Sequence, residues 1–213
     1  MTVAIVDYGS GNLHSAAKAF ERAARESGRE QPIVVTNDPD QVRRADRVVL
    51  PGVGNFAAAK RRLDETGLGA AVTEVARAGR PVLGICLGLQ LFLTESEEAP
   101  GVPGLALLAG RIVRFRTELP VPHVGWARVR LTARGQGHAA LAPAFPGDEA
   151  FFYHVHSYRP DRVKDEDALA EAEYGGPFPT IVGAGNVLGV QFHPEKSQAA
   201  GIALLRGFAR WAP

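Results

Sequence analysis

The chain has 213 residues, 46% hydrophobic and 22% charged, with a formal net charge of +1. That length can bury a core without covalent staples, and the near-neutral balance leaves no electrostatic footprint for nucleic acid or an acidic membrane surface. One cysteine cannot form an internal disulfide and fits a reducing cytoplasm, while no apolar run reaches the ~18–20 residues of a membrane span.

The first half alternates strands with helices. "VAIVDY" (3–8) is a β-branched run ending in the turn "GSGN". "LHSAAKAFERAARESG" carries apolar residues at helical spacing and reaches Gly28, a plausible C-terminal cap. "PIVVT" and "DRVVL" read as the next two strands, and "PGVGN" as a second Gly-rich turn. "FAAAKRRLDETGLGAAVTEVARAG" is helical in two pieces, broken around Gly67 and Gly69. "RPVLGI" is a fourth strand, and "LGLQLFLTES" the helix after it. Short continuous apolar strands separated by helices indicate a parallel sheet covered on both faces.

The second half changes character. "RIVRF", "HVGWARVRL", "EAFFYHVHSY", "ALAEAEY", "PTIVGAG" and "NVLGVQFH" read as strands, and "AAGIALLRGFARWA" as a closing helix. The expectation is one α/β domain over residues 1–213: an open, mostly parallel sheet flanked by helices, with additional β-strands in the C-terminal half.

The chain's one cysteine, Cys86, sits in "PVLGICLGLQ", where a buried strand meets a helix across a tight turn. A buried cysteine is ordinarily a small hydrophobe. At a strand-to-helix elbow it is instead pushed out at the C-terminal edge of the sheet, with Gly84 and Gly88 letting backbone pass close by. The helix start favours a thiolate, and the N–H of Leu87 is placed to stabilise an oxyanion. A catalytic thiol needs a histidine, and "GVQFHPEKSQ" (189–198) offers one. Pro194 restricts His193 to extended backbone, and residues two apart on such a segment share a side. His193 and Glu195 can then converge, the imidazole as base and the carboxylate as its orienter. "LPGVGNF" (50–56) ends a strand at the same expected edge; it is either a plain tight turn or a set of N–H groups completing an oxyanion hole.

"PGVG", "GICLGLQ" and "HPE", in that order, resemble the class I (triad) glutamine amidotransferases. "VDYGSGNLHS", "RFRTELPVPHVGW", "FYHVHSY" and "GVQFHPEKSQAAGIALLRGF" are similar to the glutaminase subunits of imidazole glycerol phosphate synthases. The resemblance runs from Val6 to about Phe208 and implies a flavodoxin-like core. It implies Cys86 as nucleophile, with His193 and Glu195 completing the triad. Gly52, Val53 and Leu87 would form the oxyanion hole. Gln90 would contact L-glutamine, and His156, Ser157 and Tyr158 would hold it mainly through backbone groups. It further implies a separate (β/α)8-barrel cyclase subunit as partner in a heterodimer of histidine biosynthesis, docked on a face that includes Ser10, Gly11 and Asn12. Two departures from the family pattern, Ala127 where asparagine is usual and His154 where an aromatic is usual, bear on the partner interface and not on the triad.

Other features carry weaker signals. "GSGNLH" (9–14) lacks the third glycine of a dinucleotide fingerprint, because His14 stands there. No nucleotide cofactor is expected. His154 and His156 lie two apart, but no cysteine or nearby carboxylate completes a zinc set, so no metal is expected. Trp126, between Pro, Gly and His residues, is either core or an interface anchor. Lys196, one of 4 lysines against 20 arginines, is either solvated or a charge contact to the partner. A γ-glutamyl hydrolase would share the Cys-His-Glu set but lack "DYGSGNL" and "PHVGW", and a decayed binding subunit would lack the intact triad.

Overall fold

Aliphatic and β-branched runs fill the centre of the molecule in the computed structural model, which describes residues 1–28 and 31–213. Strands β1 (Val3–Val6), β3 (Arg47–Gly52), β4 (Val82–Cys86) and β12 (Val187–Val190) are buried at every residue. Strands covered on both faces need no polar alternation, which is why their sequences read as continuous apolar runs. The remaining strands are β2 (Ile33–Thr36), β5 (Glu95–Ser96), β6 (Arg111–Arg114), β7 (His123–Leu131), β8 (Glu149–His156), β9 (Tyr158–Asp161), β10 (Ala168–Glu173) and β11 (Pro177–Ala184).

Among the described residues, nine strands form one sheet in the order β2-β1-β3-β4-β12-β11-β10-β7-β8. Neighbours from β2 through β12 are parallel, and those from β12 through β8 are antiparallel. This is the expected parallel core extended by the second half. A second, smaller sheet, β5-β6-β9, packs against the large one where β9 meets β11. Helices α1 (Leu13–Glu26) and α6 (Gln198–Arg210) pack together, with Phe20 edge-on to Phe208 at 6.2 Å. Helices α3 (Phe56–Glu65) and α4 (Leu68–Arg77) belong to a second buried cluster, with Leu50, Leu63, Leu68 and Phe92. Each fully buried large apolar side chain contributes about 1.5–3 kcal/mol, so the two clusters supply most of the driving force.

The charged start of β3 is tied in separately. Buried Arg47 donates to the carbonyls of Phe208 at 3.2 Å and Trp211 at 2.6 Å. Phe208 O also accepts the capping N–H of Trp211 at 3.2 Å, so Arg47 adds a second donor there and ties down the chain just beyond α6.

Three elements differ from the sequence expectation. Helix α2 (Pro39–Arg44) arises from a local cap, Asp38 accepting from the N–H of Asp40 with Pro39 at the first turn, and is too short to show periodicity. Helix α5 (Leu87–Phe92) ends four residues earlier than expected. The carbonyls that would continue it are taken by a later loop: Leu105 N–H donates to Leu91 at 2.7 Å, and Leu107 N–H to Phe92 at 2.8 Å. The run "EAFFYHVHSY" is two strands, because the chain leaves the large sheet at Ser157 and pairs Tyr158–Asp161 with β6.

The topology brings three distant segments to one edge. Strand β4 lies between β3 and β12, with Gly52 opposite Cys86 and Val190 opposite Ile85. The C-terminal ends of these strands therefore sit side by side, where open α/β sheets bind ligands.

Candidate active site

Cys86 occupies a sharp bend. Its φ of 54° and ψ of −107° are sparsely populated for a residue with a side chain, a conformation that costs of order 1–3 kcal/mol and survives only where the surroundings enforce it. The surroundings here are two close backbone approaches. A Cβ on Gly88 would overlap the carbonyl oxygen of Leu50, and one on Gly84 would come within 2.7 Å of Gly88 C and Leu89 N. Both glycines have the spacing role expected of them: α5 folds directly onto β3 and β4.

His193 follows β12 on the same edge. Its Nδ1 lies 2.8 Å from Glu195 Oε1, and the two side chains are 3% and 5% exposed. Extended alternation does not bring them together. His193 is extended, but Pro194–Lys196 closes a 3-10 turn that swings Glu195 back under the ring. The backbone is clamped as well: His193 N–H donates to Tyr153 O at 2.9 Å, and Ser197 Oγ–H to His193 O at 2.6 Å.

With Nδ1–H committed to Glu195, Nε2 is free, and it has no hydrogen-bond partner among the described residues. Cys86 is nonetheless near enough to act on it. Burial lowers the proton affinity of His193, but Cys86 and Glu195 outweigh burial and push the pKa up to about 10. The ring is an imidazolium at neutral pH, held between a carboxylate and the sulfur.

A cleft of about 420 Å³ opens over Cys86 and His193. Seven more of the sequence-predicted residues line it: Val53, Leu87, Gln90, His156, Ser157, Tyr158 and Lys196. Glu195 lies outside it, beyond the ring of His193, and Gly52, at the base of the 52–54 turn, does not line it. There the buried Tyr8 hydroxyl presses on Gly52, so that a Cβ on this residue would overlap the phenol oxygen. Burial pushes the Tyr8 pKa up and keeps it protonated. Ser10 Oγ–H donates to the carbonyl of Val53 at 2.6 Å, tying the first Gly-rich turn to the second. Asn12 and Trp126 lie away from the cleft. Asn12 caps α1 by accepting from Ser15 N–H at 3.2 Å, and Trp126 is 47% exposed on β7.

A family model described as "Glutamine amidotransferase class-I" matches residues 4–210. The chain belongs to the class-I glutamine amidotransferases. Curated relatives match end to end. A protein of Rhodopseudomonas palustris named "Imidazole glycerol phosphate synthase subunit HisH" is 48% identical over all of both chains, and its namesake in Rhodospirillum rubrum is also 48% identical at full coverage. Two solved structures share the fold at 18% identity with a TM-score of 0.69. They are the glutaminase domain of Trypanosoma brucei CTPS, covering 100% of this chain and 95% of its own, and PurLQS from Thermotoga maritima, at 98% and 97%.

Two features near the cleft of this amidotransferase go beyond the sequence reading: a carboxamide it did not single out, and the mutual stacking of histidines, of which it named His154 and His156 in other roles. The first is Gln191, fully buried, whose Nε2 lies 3.8 Å from Cys86 Sγ. Its signal was available: a carboxamide interrupting an otherwise apolar strand needs partners, because an unpaired buried amide is costly. The second is a cluster of buried histidines. His154 is 0% exposed, so this departure from the family pattern belongs to the core and not to a partner interface. Its ring stacks on His123, which stacks in turn on Tyr174 at 4.0 Å. His154 Nδ1–H donates to Phe152 O at 3.1 Å, which leaves Nε2 to accept from Thr180 Oγ1–H at 3.1 Å. His156 Nδ1–H donates to Tyr158 O at 2.8 Å.

Proposed function

We propose that this chain is the glutaminase subunit of an imidazole glycerol phosphate synthase, hydrolysing L-glutamine to glutamate and ammonia for a separate cyclase subunit. One observation carries the chemical reading: His193, backed by Glu195, stands beside Cys86 at the strained end of β4, and the sulfur and the ring both line the cleft. The full-length relatives supply the synthase.

Cys86 and Glu195 raise the pKa of His193, so the ring carries the proton that the leaving nitrogen needs. The Cys86 sulfur bonds to the side-chain amide carbon of glutamine, and the carbonyl electron pair moves onto oxygen. The N–H of Leu87 and the 52–54 turn hold that oxyanion. His193 passes its proton to the leaving nitrogen, the C–N bond breaks, and ammonia departs from a glutamyl thioester. Water then gives His193 a proton as its oxygen attacks, the C–S bond breaks, and glutamate leaves. Glu195 keeps Nε2 aimed at the cleft throughout. Gln90, His156, Ser157 and Tyr158 hold the amino acid.

An apolar face beside the cleft suits a partner. Val124, Trp126 and Phe151 are 56%, 47% and 57% exposed, and the register of β7 and β8 puts them on one side with Tyr153. Lys196 Nζ lies 5.8 Å from the Tyr153 ring centre, between this face and the cleft. We assign the face to the (β/α)8-barrel cyclase, together with the turn that carries Asn12. Replacing Trp126 or Lys196 with alanine is expected to weaken the complex by roughly tenfold or more without changing the melting temperature. Titration with the cyclase reads this, and unchanged affinity would remove the face from the interface.

The function is tested by ammonia release from L-glutamine, measured with and without the cyclase and its nucleotide substrate. The expected result is slow release by the chain alone and faster release in the complex. No release under either condition rejects the reading.

A further inference from the structure

Gln191 is buried without exposure between the nucleophile and the substrate side of the cleft. It follows β12 directly, one residue beyond the Val190–Ile85 pair, and so stands opposite Cys86. Its backbone N–H is held by Thr180 O at 2.8 Å. Its carboxamide touches two groups, Cys86 Sγ at 3.8 Å and Gln90 Nε2 at 3.3 Å.

The orientation of both carboxamides follows from one backbone carbonyl. Tyr158 O can only accept, so the end of Gln90 that lies 3.3 Å away must be the NH2 group. The second N–H of that group faces Gln191 at 3.3 Å, and only an oxygen can receive it. Gln191 therefore presents Oε1 to Gln90 and Nε2–H to the sulfur. Turning Gln191 over would set donor against donor, and turning both would set the Gln90 oxygen against the Tyr158 carbonyl. The chain of contacts runs from Tyr158 O through Gln90 and Gln191 to Cys86.

We propose that Gln191 is a positioning residue for glutamine hydrolysis, its side-chain N–H stabilising the Cys86 thiolate while its oxygen fixes the Gln90 carboxamide on the substrate side. The proposal rests on the glutaminase reading of this site. An N–H aimed at sulfur favours the charged form, as a donor does for any anion. Other groups also act on the sulfur. His193 follows β12, with Glu195 behind it, and Tyr8 follows β1, neutral through burial. Glu98 and Lys196 line the same cleft. The contribution of Gln191 is read as a difference against that constant background.

Because Cys86 is the one cysteine in the sequence, alkylation by iodoacetamide reports its thiolate alone. Rate against pH is measured on the full chain for wild type, Gln191→Met and Gln191→Asn. Methionine keeps the length without the donor, and asparagine keeps the donor but draws it back from the sulfur. Both variants are expected to move the inflection upward by about one pH unit and, at pH values below the wild-type inflection, to slow alkylation by about tenfold. An inflection unchanged in either folded variant overturns the proposal. If neither folds, the side-chain amide of Gln191 in the 15N-labelled wild type decides. Its resonance must move through the inflection seen by alkylation, and one that does not move overturns the proposal. Alkylation needs no glutamine turnover. A wild type that alkylates normally but releases no ammonia would reject the glutaminase reading and leave the Gln191–Cys86 contact standing.

Discussion

Cys86→Ala is expected to lower glutamine hydrolysis by roughly 10⁴-fold or more while the chain still folds and binds its cyclase. Removing the sulfur deletes the covalent route entirely, and in triads that act as a unit the loss of one member costs about as much as the loss of all. The fold should tolerate the change. Alanine meets the same backbone strain at φ 54° that cysteine does, and the enforcing contacts belong to Gly84, Gly88 and Leu50 rather than to the sulfur. Ammonia release and circular dichroism on the same preparation check both halves. Turnover retained by the variant would remove Cys86 as nucleophile, and loss of folded signal would show the thiol to be a core residue first.

Acid should destabilise the chain through its buried histidines. Burial lowers the pKa of His123, His154 and His156, that of His154 to about 3 from 6.5. A group whose folded pKa lies below its unfolded value favours the fold fully above the unfolded pKa. That advantage drains away as pH falls, because the unfolded chain takes up a proton that the folded one refuses. Between pH 6.5 and 4.5, His154 by itself should remove about 2–3 kcal/mol, or roughly 5–10 °C in melting temperature for a domain of this size. His193 acts in the opposite sense. Its pKa of about 10 stabilises the fold fully below 6.5, and that stability is lost as pH rises from there towards 10. The stability maximum should therefore lie near pH 6.5, with a loss on either side. Melting curves from pH 4.5 to 10 test the shape. His154→Phe, which restores the aromatic usual in the family, should flatten the acid limb, and an identical acid slope in that variant would sink the assignment.

Much of the architecture was legible because its signals are local. Short continuous apolar runs at 3–6, 48–50 and 82–85, separated by helical stretches, read as strands covered on both faces. Gly84 and Gly88 around a lone cysteine marked the elbow, and both proved sterically compelled. Cys86, His193 and Glu195 could be named from "GICLGLQ" and "HPE" because each motif combines chemistry with a backbone constraint. Lengths and ends of elements were less legible. The stop of α5 depends on amide groups of Leu105 and Leu107, which no window around residues 87–96 contains. The split at Ser157 depends on a second sheet.

The candidate site divides in the same way. The sequence by itself determined which residues have the chemistry: a thiol at a bend, an imidazole before proline, a carboxylate two residues on, and Gly-rich turns at strand ends. Only the tertiary structure decided their relations. Strand order puts β4 between β3 and β12, so segments more than a hundred residues apart share one edge. The 3-10 turn, not strand alternation, joins Glu195 to His193. Burial makes His154 a core residue and Gln191 a neighbour of the sulfur. The physical reason is range. Backbone strain, capping and periodicity act over a few residues and are written in sequence order. Desolvation and side-chain hydrogen bonding depend on which distant segments the sheet brings together, and that is settled only when the strands pair.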